Sequence, residues 1–166
     1  MDHDLVIVGE SPSHTRPKGM ENVHFSGQTS HILWDELRKY NVTRENCFVT
    51  NVVTKVLPKG VKPNREEIED GLLQLKKDIT REKPVLVLAV GKTAASAILG
   101  WDINMDSYSG NTLFSERLNI WVVPVLHPGA IARNPNLKSQ FADGIWVAIE
   151  SLKTIKKSMA KSKIKV

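Results

Sequence analysis

Cysteine is almost absent from this 166-residue chain, and Cys47 stands alone. One thiol cannot close an internal disulfide. Nor can it supply a cysteine-based zinc site or an iron–sulfur cluster. A reducing cytoplasm is therefore the expected location. Long apolar runs are missing too: no stretch approaches the ~18 residues that a membrane span needs. The opening residues, MDHDLVIVGE, begin a strand rather than a basic leader with a cleavage site, so neither a membrane partner nor a signal peptide is expected. Acidic residues are missing from positions 153–166, which hold six lysines. Without those six, 17 basic residues face 18 acidic ones, so the net charge of +5 belongs to the tail and not to the body. Such a tail can supply non-specific phosphate contacts or be a plain solvated terminus, and charge alone does not choose between them.

What is present is ordinary globular material, 41% hydrophobic and 25% charged, without repeats or low-complexity segments. The length predicts one domain over residues 1–158, with 159–166 as a basic C-terminal tail. Residues 4–9 (DLVIVG), 46–53, 84–90 (PVLVLAV) and 120–126 read as short apolar strands. Helical spacing predicts helices over 29–40, 64–81, 92–99 and 136–157, the second opened by Asn64 with Glu67 three residues on. Residues 10–27 form a long loop, 57–63 a turn-rich connection, and 102–119 an irregular stretch with a short strand near 112–114. Alternating strands and helices predict an α/β fold: three αβα layers around a mainly parallel, four-stranded sheet.

Ligands of such sheets bind outside the carboxyl ends of the strands. Three polar segments fall there: Gly9-Glu10-Ser11-Pro12-Ser13, Thr50-Asn51 and His127-Pro128-Gly129. Taken singly, a Glu after a strand is usually a cap and an Asn at a strand end a turn former. Their convergence on one edge makes them candidates. Gly9–Ser13 nearly spells the G-x-S-x-G elbow of hydrolases, but the second glycine is missing and Pro12 occupies the position after the serine. A Ser11–His127 hydrolase is thus the weakest of the readings.

The order GESPS, HFSG, FVTNVV, VLAVGKTAA, VLHPGAIARNP resembles the uracil-DNA glycosylase superfamily. It is most similar to the iron–sulfur-type branch, whose pattern runs G-E-x-P-G, P-F-x-G, T-N-x-V, L-G-x-x-A, H-P-S. The resemblance covers about residues 4–150. It implies that Gly9, Phe25 and Asn51 bind the base: Phe25 by stacking, Asn51 by reading the pyrimidine edge. It implies that His127 supports charge on the leaving base and that Glu10 positions water. Ser11, Ser13, Gly129, Ile131 and Arg133 would contact DNA, Ile131 as an apolar wedge. The residue types suit the chemistry. A base must be extruded to be attacked, an aromatic ring recovers part of that cost, and one carboxamide matches both O4 and N3–H of uracil. No metal or redox cofactor is expected, and the expected partner is DNA carrying uracil or a related pyrimidine. The chain would act as a monomer, in the cytoplasm and on the nucleoid.

The chain also departs from the pattern. The cluster cysteines are missing, with Val56 and Gly71 near two of their places. The first motif ends in Ser13, followed by His14, Thr15, Arg16 and Pro17 instead of acids, and Gly129 replaces the H-P-S serine. A non-catalytic DNA- or partner-binding module on the same fold is the alternative that these departures keep open.

Overall fold

The computed structural model describes residues 3–164. Five strands form one sheet in the order β2-β1-β3-β5-β4. They are β1 (Leu5–Gly9), β2 (Phe48–Asn51), β3 (Leu86–Val90), β4 (Leu113–Ser115) and β5 (Ile120–Val125). The first, second, third and fifth run parallel, as expected. The sheet is wider than the four strands expected, because the short segment near 112–114 adds an antiparallel edge strand against β5. The helices are α1 (Ser30–Arg38), α2 (Arg65–Glu82), α3 (Lys92–Leu99), α4 (Met105–Tyr108), α5 (Pro128–Arg133) and α6 (Lys138–Ile164).

Strand alternation sorts the core into two layers. Val6, Val8, Val87, Ala89 and Val122 face one side and pack under α2 and α3 with Leu72, Leu75 and Ile98. Leu5, Ile7, Leu88, Val123 and Val125 face the other and meet Leu33 and Leu37 of α1 with Phe141 and Ile145 of α6. Both faces are therefore covered, as a parallel sheet requires. The chain leaves β1 toward β2 on one side and returns past it to β3 on the other. This reversal opens a crevice at the carboxyl edge of the sheet.

Two segments differ from expectation. Residues 128–133, given no element between the expected strand 120–126 and helix 136–157, form α5, because Pro128 suits the first turn of a helix and His127 caps it by accepting the Gly129 N–H. The closing helix runs to Ile164, so the described part of the lysine-rich tail is an exposed continuation of α6. The helix starts beside α5 at the carboxyl edge, and its Lys156 pairs with Asp4, just before β1, at the opposite edge. The described part of the tail thus lies at the far end of the sheet from the crevice.

Gly71 sets the spacing between α2 and the end of β2. A Cβ there would run into the carbonyl oxygen of Val52. Gly71→Ala should therefore cost about 1–3 kcal/mol of stability by overpacking, read as a lowered urea midpoint. An unchanged midpoint would mean that α2 can slide outward freely.

Candidate functional site

Three of the four parallel strands each deliver an element of a cleft of about 420 Å³, a volume that includes its open mouth. β1 ends in Gly9 and hands over Glu10 and Ser11; β2 ends in Asn51; β5 leads into His127. Phe25 closes the cleft from the long loop. The structure therefore brings Gly9, Glu10, Ser11, Ser13, Phe25, Asn51 and His127 to a single cavity. Gly9 is needed by close approach: a Cβ would lie 2.5 Å from Asn51 Oδ1 and 2.6 Å from Phe25 Cζ. The carboxamide and the aromatic ring both close onto that bare backbone.

Phe25 is held in an unusual pose. Its φ is +53°, in the left-handed region that a non-glycine residue rarely adopts. Two donors hold its carbonyl there: Trp34 Nε1 at 3.0 Å and Arg44 Nη2. Arg44 Nη1 also donates to the His24 carbonyl at 2.6 Å, and its guanidinium lies 4.4 Å from the Trp34 ring centroid. The rest of the loop braces itself, with Ser13 Oγ 2.9 Å from Thr15 Oγ1 and Arg16 Nε donating to the Ser13 carbonyl at 2.9 Å. Gly27 leaves space for the Ser13 hydroxyl, which a Cβ would meet at 2.6 Å.

Asn51 is buried, and its Nδ2 lies 2.7 Å from His24 Nδ1. Burial, reinforced by the Arg16 and Arg44 cations, lowers the His24 pKa and so favours the neutral ring. His127 opens onto the cleft. Its Nδ1 accepts the Gly129 N–H at 3.0 Å, which leaves the proton of the neutral ring on Nε2. The protein packed around the ring lowers its pKa; Glu10 opposes this, and Arg133 and Lys62 add to it. Glu10 pairs with Lys62 at 3.1 Å, linking the first motif to the 57–63 connection. No hydrogen bond joins Ser11 or Ser13 to His127 among the described residues, so the site lacks the contact a Ser–His hydrolase would use.

The residues expected to touch DNA divide. Ser11 stands in the cleft wall, while Ser13 is exposed but tied into its own loop. Arg133 is exposed in the last turn of α5. Ile131 is 5% exposed and packs in the core with Leu126 and Phe141, so it cannot be the protruding wedge expected of it. The Gly129 N–H is spent on His127 rather than aimed at a phosphate. Sequence reasoning missed His24, Trp34, Arg44 and Lys62. Only His24 left a signal, standing where the P-F-x-G pattern has proline.

The profile of the Uracil DNA glycosylase superfamily matches residues 1–150, and the chain belongs to that superfamily. Among its curated relatives, the Type-4 uracil-DNA glycosylase of Pyrobaculum aerophilum is 29% identical over 146 residues, covering 82% of this chain and 72% of the relative. The enzyme of the same name from Archaeoglobus fulgidus is 26% identical over 144 residues, 83% and 71% of the two chains. That of Thermotoga maritima is 28% identical over 140 residues, 81% and 69%.

The iron–sulfur cluster of the resembling branch does not fit this chain. Cys47 is buried, donates its S–H to the Thr43 carbonyl at 3.1 Å, and has its thiol pKa pushed up to about 11 by burial. At Gly71 no side chain of any kind has room. The connection is held by other means: Leu57 is buried in the core, Lys55 pairs with Glu67 at 2.8 Å, and Lys62 reaches Glu10.

Both histidines of the site have pKa values below the ordinary 6.5. The unfolded chain therefore takes up these two protons first, and their contribution to stability is present above pH 6.5 and lost as pH falls through the folded values. Urea midpoints should drop on acidification from pH 7.5 to about 5, and more shallowly in a His24→Asn/His127→Asn double variant. Parallel curves for the two proteins would contradict this.

Proposed function

We propose that the chain is a monofunctional glycosylase that hydrolyses the N-glycosidic bond of uracil, or a closely related pyrimidine, in DNA. The observation that carries this reading is the meeting of Phe25, Asn51, His127 and Glu10 in one cleft at the carboxyl edge of the sheet. The curated relatives bearing the name uracil-DNA glycosylase support the same class of reaction.

The chemistry follows from the groups present. An extruded base stacks on Phe25, which recovers about 1–3 kcal/mol of the unstacking cost. Asn51 offers an N–H to O4 and its oxygen to N3–H; cytosine reverses that pattern and leaves buried groups unpaired. As the C1′–N1 bond breaks, its electron pair stays with the base and negative charge gathers on O2. His127 Nε2–H is the donor that meets it, its tautomer set by the Gly129 N–H. Glu10 favours the developing positive charge on the sugar and holds the water that adds to C1′. Lys62 orients that carboxylate. One chain completes the cleft, so a monomer suffices.

A uracil-containing oligonucleotide should lose its base to the wild-type protein. His127→Ala should slow release by about a hundredfold or more, the usual effect of deleting one donor to a developing anion. Asn51→Ala should slow it at least about tenfold. Phe25→Ala should act mainly on KM. Circular dichroism should show all three folded. No uracil release by the wild type, with salt-sensitive DNA binding retained, would favour the non-catalytic module instead. Removing residues 159–166, of which the described part 159–164 lies remote from the cleft, should flatten the salt dependence of non-specific DNA binding and leave release from a short oligonucleotide unchanged.

A further inference from the structure

Asn51 carries the base-reading role in the function proposed above, yet a carboxamide is ambiguous. Its two ends are nearly the same size, and rotating it by half a turn exchanges donor for acceptor. In one orientation it matches uracil, with N–H toward O4 and oxygen toward N3–H. In the other it matches cytosine, with oxygen toward N4–H and N–H toward N3. A pocket that discriminates must therefore fix the amide before the base arrives. Burial alone does not do this, since both orientations fill the same space.

The neighbours of Asn51 are unequal. Oδ1 lies on the Gly9 side, where a Cβ would sit 2.5 Å from it. Nδ2 lies 2.7 Å from His24 Nδ1. A neutral imidazole with the proton on Nε2 presents a lone pair at Nδ1, so the amide nitrogen can donate to it and the amide oxygen would be repelled. One N–H of Asn51 is spent on His24 and the second stays available to a ligand. His24 stands behind Asn51 and is not one of the residues that line the cleft. Its backbone is pinned by Arg44, which in turn rests on Trp34. The charged groups acting on its ring are Arg16 from the loop and Arg44 from the turn before β2, both cations that oppose a second ring proton.

We propose that His24 is a positioning residue that sets the base selectivity of this cleft, by locking the Asn51 carboxamide in the orientation that reads uracil and rejects cytosine. The proposal deepens the glycosylase reading and rests on it for its functional consequence, while the hydrogen bond itself stands without it. Removing the acceptor frees the amide to rotate. Uracil release should then fall, and the preference for uracil over cytosine should fall with it. An acceptor placed at the same δ position should restore both.

Three variants and two measurements test this. His24→Leu keeps bulk and deletes the acceptor; His24→Asn supplies Oδ1 where Nδ1 stood; His24→Ala guards against a steric artefact in the first. Single-turnover release from single-stranded oligonucleotides containing uracil or an unpaired cytosine gives the selectivity. Roughly tenfold or greater loss of uracil release is expected in His24→Leu and His24→Ala, with a smaller uracil-to-cytosine ratio, and values within a fewfold of wild type in His24→Asn. Wild-type selectivity in His24→Leu, or failure of His24→Asn to recover what His24→Leu loses, overturns the proposal. The second measurement needs no activity. Long-range 15N–1H spectra of the labelled wild-type protein should show His24 with its proton on Nε2 and an accepting Nδ1. A proton on Nδ1 overturns the proposal outright. A protein that releases no uracil but shows the expected tautomer removes the glycosylase reading and leaves the locked amide in place.

Discussion

At Gly9 the Phe25 ring and the Asn51 carboxamide close over the backbone of β1, leaving room for a hydrogen atom and nothing larger. The whole cleft depends on that clearance. Parallel pairing places Gly9 opposite Asn51 in the register of β1 and β2, so the two are neighbours by construction. A side chain on Gly9 would force the amide and the ring apart, and the surface that could receive a planar base would be lost. The sheet supplies rigidity of the kind a binding site needs, because its central strands are fully buried.

The larger part of this arrangement was legible in the amino-acid sequence. The four parallel strands announce themselves as short apolar runs, and their carboxyl ends carry the polar motifs. Glu10, Asn51 and His127 could be assigned to one edge because topology brings strand ends together, and Phe25 was added by the family resemblance alone. What stayed hidden has a physical cause in each case. The short strand near 112–114 was expected, but at three residues β4 carries no pattern that places it in the main sheet, where it pairs only with β5. The short helix α5 begins inside His-Pro-Gly, a tripeptide that reads as a strand-ending turn until the capping bond at His127 is seen. Ile131 was assigned from the shape of a motif, but side-chain direction on a short helix is set by the core it meets. Arg44 and Trp34 are ordinary residues in sequence and gain their role only through contacts with the Phe25 carbonyl, 19 and 9 positions away.

The missing cluster cysteines set up one contrast with the iron–sulfur-type pattern that the sequence resembles. Where the resembling branch uses metal–sulfur bonds to secure the chain after T-N-x-V, this chain uses close packing. Gly71 lets α2 settle against Val52, Leu57 enters the core, and two lysine–glutamate pairs span the gap. Exposed ion pairs of this kind contribute little individually. The apolar burial and the close helix–strand contact therefore carry most of the replacement.

Arg44 donates to two consecutive carbonyls, those of His24 and Phe25. The ring that would receive a base and the imidazole that orients its reader thus hang from a single guanidinium. Changes at positions 24, 25 and 44 should be energetically entangled, so their effects cannot be summed from single variants. For the divergence of such a pocket, this shared support means that stacking and readout drift together, and a new base preference is reached more readily by moving the pair than by altering either partner alone.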